Sequence, residues 1–85
     1  MTATIVVQWS DDSTNLNSRV LERSIDGVAW DVVTALDTAT LSGEVVDEFA
    51  IPTGVVTLHY RIKSELVLFE ESTFKYSPIQ SISLG

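Results

Sequence analysis

Apolar and polar residues alternate along this chain with a period of two, and no helical spacing of apolar positions lasts for the roughly 11 residues that would predict a helix. From Thr2 to Trp9 β-branched residues dominate, with Ile5, Val7 and Trp9 on one face and Thr4, Val6 and Gln8 on the other, which predicts a first strand. The run Ser10-Asp11-Asp12-Ser13-Thr14-Asn15 follows, and its side-chain oxygens can bond their own backbone and end that strand. A second strand is expected over Ser18 to Ile25. Asp26-Gly27 then reads as a tight hairpin turn, because it accommodates positive φ, with a third strand over Val28 to Val33. Thr34 to Ser42 resists helix formation through Thr38, Thr40, Ser42 and Gly43 and is expected to be a loop leading to a fourth strand near Glu44 to Phe49. Ile51-Pro52-Thr53-Gly54 ends it.

Val55 to Ser64 carries the clearest alternation, with Val56, Leu58, Tyr60 and Ile62 against Thr57, His59, Arg61 and Lys63. Leu66 to Phe69 extends that strand or begins the next turn, and Glu70 to Thr73 reads as exposed connection. Ser77 to Leu84 is a final strand, with Ile79 and Ile82 as its expected core residues and Pro78 marking an edge or a bulge. Six or seven short strands with turns about every ten residues predict an all-β, antiparallel two-sheet sandwich. Residues 1–85 are expected to form a single domain, since a chain of 85 residues buries only roughly 60% of its unfolded surface and has no room for two cores.

Composition narrows the picture in three ways. Hydrophobic residues at 45% and charged residues at 20% suit a packed domain and not a disordered one. There is no cysteine, so stability must come from packing and strand pairing. Twelve acidic against five basic residues give a formal charge of -7, a surface that repels phosphate backbones, so nucleic acid is not expected as a partner. No apolar run approaches the roughly 20 residues of a helical membrane span. Met1-Thr2-Ala3-Thr4 does not open a signal peptide, so if Met1 is the native start the chain is expected to be made in the cytosol.

Three local patterns in order resemble the fibronectin type III family. Val7-Gln8-Trp9 before a polar loop is similar to the family's strand that buries a core tryptophan. Arg23-Ser24-Ile25-Asp26-Gly27, then Trp30 and Val33, is similar to a hairpin of bacterial and viral members. Val46-Asp47, Ile51-Pro52-Thr53-Gly54 and Tyr60-Arg61-Ile62 resemble the run into the family's penultimate strand. The likeness spans residues 5 to 82 and departs from the family twice. Leu58 stands where an aromatic usually forms the tyrosine corner, so that hydrogen bond must be absent or replaced. The strand that should precede the tryptophan strand is missing, so the resemblance implies either a fold trimmed to six strands or an open edge for a partner to cover.

Candidate chemistry is sparse. Ser24, Asp26 and Trp30 approximate the Asp-box of sialidase-like repeats, but Asp26 and Gly27 are adjacent, and the hairpin reading is preferred. His59 is the one histidine and is expected on the polar face beside Arg61. Neither a catalytic triad nor a nucleophile elbow is discernible, so no catalytic residue, cofactor or metal is assigned and the chain is not expected to be an enzyme. The acidic pairs Asp11-Asp12, Asp47-Glu48 and Glu70-Glu71 are expected in or near turns, where carboxylates are ordinarily solvated. Leu36-Asp37-Thr38 matches a short integrin-binding tripeptide, a match too brief to carry weight. Phe69, Phe74 and Tyr76 lie close together and are either core residues or an exposed aromatic contact patch. The resemblance to the fibronectin type III family implies a structural interaction module on a larger protein assembly, such as a capsid decoration or tail accessory protein of a bacteriophage virion, with self-association as a further expectation. The alternative is a carbohydrate-binding or spacer module of a secreted bacterial enzyme, which would need an exposed aromatic platform.

Overall fold

The computed structural model describes residues 2–84. Seven strands run in chain order: β1 (Thr2–Ser10), β2 (Ser18–Ser24), β3 (Asp31–Ala35), β4 (Ser42–Ala50), β5 (Thr57–Leu68), β6 (Glu71–Tyr76) and β7 (Gln80–Ser83). All pairings are antiparallel. β1 and β4 form one sheet, while β3, β2, β5 and β6 lie side by side in the other and β7 pairs with β5. The chain is thus an all-β, two-sheet sandwich.

Alternation along each strand decides which side chains meet between the sheets. Trp9 from β1 packs with Leu21 of β2 and with Leu58, Tyr60 and Ile62 of β5, and Ile5, Val7, Val45 and Phe49 close around them. Gly43 lies opposite Trp9 in the β1–β4 ladder, where a Cβ would sit 2.9 Å from the indole Nε1. Glycine at this position lets the ring lie flat across β4.

The structure corrects the expected boundaries in three places. No tight hairpin forms at Asp26-Gly27: β3 starts only at Asp31, because the Asp26 carboxylate accepts the N–H groups of Val28 and Ala29 and the Ser24 hydroxyl accepts that of Gly27, which sits at φ +80°. Those donors are spent within the loop and cannot join a ladder. A strand, β6, occupies residues expected to be connection, joined to β5 by a turn at Phe69-Glu70. Finally, Asp47 lies in the middle of β4 and is buried, not in a turn.

Ser77 to Leu84 does contain an irregularity at its proline. Lys63 pairs with Tyr76 before the break and Tyr60 with Gln80 after it, so one extra residue is accommodated around Pro78. The Ser77 hydroxyl takes the N–H of Ile62, and the Ile62 carbonyl takes the N–H of Ser77, which carries the ladder up to the kink. Ile79 and Ile82 are not core residues as expected: Ile79 is half exposed, and Ile82 is 40% exposed although its neighbour across the ladder, Leu58, is wholly buried. Ile82 is left uncovered because the sandwich is open here. A groove of about 530 Å³ runs between β1 and the β5–β7 side, lined by Ile5, Val7, Trp9, Tyr60, Ile62 and Ile82 among others.

Candidate interaction surface

Two polar cross-links fix the sheets and so hold every exposed face in place. In the first, Arg23 reaches inward from β2 and donates to both oxygens of Asp47 on β4 at 2.7 Å, while the Tyr60 hydroxyl of β5 donates to Oδ2 at 2.8 Å. The guanidinium also lies 3.8 Å from the Phe49 ring centroid. Burial, with the Asp47 carboxylate beside it, pushes the Tyr60 hydroxyl well above the ordinary tyrosine value of 10.0. A raised folded-state value means that this contribution to stability is fully present below about pH 10 and is lost as pH climbs through the folded value. The protein is therefore expected to weaken steadily above pH 10 in denaturation curves, and Tyr60→Phe, which cannot ionise, should lose that alkaline slope. An unchanged slope would contradict this.

The second cross-link ties loops at one end of the sandwich. Arg19, only 1% exposed, donates through Nε to Asp11 at 3.0 Å and through its other nitrogens to the carbonyls of Ser13, Asp37 and Thr40. Trp9 lies beside it, 5.4 Å from ring centroid to guanidinium carbon. Burial pushes the Asp11 carboxyl up, but hydrogen bonds from Ser13 and the charge and hydrogen bond of Arg19 outweigh it, and the net shift is downward.

The outward face of the five-stranded sheet carries a row of cations and rings. The Arg61 guanidinium lies 4.1 Å from the Trp30 ring and 4.3 Å from that of Tyr76, and it is paired to Glu22 at 2.8 Å. Lys63 lies 4.5 Å over Phe74. His59 is on this face as expected, with Nδ1 2.7 Å from the Ser81 hydroxyl. Phe74 and Tyr76 are thus exposed at their edges while presenting a ring face to a cation, an arrangement that holds amphipathic side chains ready for contact at low entropic cost.

Beyond Glu65, the last residue of β5 to pair with β2, β5 and β6 continue as a hairpin on their own. The Asn17 side chain, which accepts the Val67 N–H, braces its base. At the tip, Phe69 and Glu70 have φ of 52° and 66°. Both signs are those of a type I′ turn, which ordinarily takes Asn-Gly, because a side chain in the left-handed region costs about 1–2 kcal/mol. Phe69 is 98% exposed, and Leu68 and Val67 beside it are also exposed.

Of the residues singled out in the sequence, Phe69, Phe74 and Tyr76 all lie on the β5–β6 hairpin, Phe69 at its tip and the other two on the outward face of β6. The Asp37 carboxylate caps its own loop by accepting the Ala39 N–H. Among the described residues no three histidine, aspartate or glutamate side chains come together as a metal site. Trp30, Arg61 and Lys63 complete the aromatic row without having been singled out for it; the signal was available in the period-two spacing of Arg61 and Lys63. No family model, curated protein or solved structure matches the chain.

Proposed function

We propose that this chain is a non-enzymatic interaction module, fibronectin type III-like in build, that docks onto a larger protein assembly through its β5–β6 hairpin. Phe69 is the observation that carries the reading. It occupies a strained backbone position where glycine or asparagine would be more stable, and nearly fully exposed it returns nothing to the chain's own fold. Strain held at an exposed aromatic tip, beside exposed Leu68 and on the same hairpin as Phe74 and Tyr76, is what a contact surface needs: an apolar projection with a polar surround. The order of the sequence patterns, a core tryptophan on β1 and an Asp47 anchor in β4 support the fibronectin-like build. The proposed assembly is a bacteriophage capsid or tail, which rests on the family resemblance.

The test replaces the tip by the turn's preferred pair. Phe69→Asn with Glu70→Gly is expected to raise unfolding stability by about 1–2 kcal/mol and to lower association with particles at least about tenfold. Gradient-purified particles from the source, analysed by mass spectrometry, would contain the unaltered chain in fixed ratio. Recovery only in the unassembled fraction would overturn the virion assignment, and equal association of the double variant would overturn the hairpin contact. The row of Trp30, Tyr76 and Phe74 gives a carbohydrate-binding reading its one supporting observation. That reading predicts retardation in polysaccharide-containing native gels, lost in Trp30→Ala.

A further inference from the structure

We propose that the outer edge of β1 and the groove beside it are completed by an extended strand of another polypeptide, apolar at alternate positions, free of carboxylates and basic at its flanks. The proposal rests on the reading of the chain as a protein-binding module but uses a different surface from the hairpin.

Sheet edges are ordinarily protected by shortness, charge, proline or a bulge. Three of the free edges in this sandwich are protected. β3 is five residues long and opens on Asp31, β4 carries Glu44 and Glu48, and the β6–β7 side has Glu71, Lys75 and the Pro78 bulge. β1 has none of these devices. Its nine residues contain no charge, proline or glycine, and its register with β4 runs unbroken from Thr2 to Ser10.

The phase of the ladder shows which groups are free. Asp11 donates its N–H to the carbonyl of Leu41, its direct opposite in the same register, so the odd-numbered residues of β1 are the ones bonded to β4. Thr4, Val6 and Gln8 therefore aim their N–H and C=O groups away from the sheet. An incoming strand would bond to these three, and its side chains opposite Ile5, Val7 and Trp9 would point into the groove, onto Tyr60, Ile62 and Ile82. This accounts for the exposure of Ile82 and for the half-covered Ile5 and Val7.

Charge selects the occupant. The groove side of β1 is uncharged, the Arg61 guanidinium turns to the outward face and is paired to Glu22, and Glu44 and Glu48 stand opposite Gln8 and Thr4 in the β1–β4 ladder, within a chain of net charge -7. A second copy fits poorly, because it would bring an equal negative charge, and the inward side chains of its own β1 are committed to its core.

The probe is a synthetic peptide of about nine residues alternating valine with threonine and ending in lysines, alongside a peptide of the same composition with the alternation scrambled. Hydrogen exchange on the isolated chain is expected to slow at least about tenfold at the Thr4, Val6 and Gln8 amides and to stay unchanged at Ile5 and Val7. Val6→Pro removes one outward N–H without touching a β4 bond, so it should fold as the unaltered protein does and lose peptide binding at least about tenfold. No protection, equal protection by the scrambled peptide, or protection of odd and even amides alike would overturn the proposal, whether or not the proline variant folds. Protection already present without peptide, together with a dimer by light scattering, would instead make the occupant a second copy and equally overturn it. Failure of particle association would leave this result untouched.

Discussion

Asp47→Ala is expected to leave the chain unfolded or close to it at room temperature. The substitution removes both acceptors of Arg23 and the acceptor of Tyr60, so a guanidinium with a largely covered side chain faces Phe49 with no counter-charge. Breaking one side of such a buried pair costs about 3–5 kcal/mol. A domain of 85 residues has roughly 4–13 kcal/mol in total, so the loss is of the same order as everything holding it together. Urea denaturation would read it directly. Replacing all three partners by apolar residues of similar size, Arg23→Met with Asp47→Leu and Tyr60→Phe, is expected to recover most of the loss, because the cost lies in the orphaned charge. If Asp47→Ala stays within about 1 kcal/mol of the unaltered protein, the cross-link does not hold the sheets.

The second large effect is expected at Arg19. Arg19→Lys keeps the charge but replaces a planar fork serving four acceptors by a single ammonium, and it is expected to cost about 2–4 kcal/mol. Asp11→Ala removes the counter-charge of a fully covered guanidinium, but it leaves three carbonyl acceptors and admits water at the partly exposed Asp11 position, so it should cost less than Asp47→Ala. The damage should also be local. Hydrogen exchange is expected to quicken in the loops at residues 11–17 and 36–41, whose carbonyls Arg19 binds, and to stay unchanged around Gly27 at the far end of β2. A uniform loss across the chain would show that Arg19 acts through bulk packing and not as a loop tie.

How much of this was readable beforehand differs by element. β1 and most of β5 follow from alternation alone, since Ile5, Val7 and Trp9 on one strand and Leu58, Tyr60 and Ile62 on the other are all buried or half-buried as their parity requires. β6 was not readable, because Glu71-Ser72-Thr73-Phe74-Lys75-Tyr76 is exposed throughout and its preceding turn uses Phe-Glu where a hairpin signal would be Asn-Gly. The cross-links were concealed by a default that sends charges to solvent. The parity of β2 did contain them: Arg19 and Arg23 share a face with Leu21, and only structure reveals that Asp47 and Asp11 await them. Of the interaction surface, the aromatic residues were visible as residue types, but whether they faced core or solvent depended on the position of β6.

The pairing of β1 with β4 also governs how the chain folds. Trp9 must wait for Gly43, and Thr2 for Ala50, before the smaller sheet exists. At ribosomal speeds the intervening stretch takes roughly 2–8 seconds to emerge, and throughout that interval the uncharged Thr2–Ser10 segment has two unsatisfied edges instead of one. The β1–β4 and β2–β5 ladders are the two long-range pairings, joining residues 32–48 and 35–47 positions apart, so the β2–β3 and β5–β6 hairpins form ahead of both. Nascent chains are consequently most prone to associate through β1, and a holdase or a co-synthesised partner strand binding there would act during synthesis as well as after it.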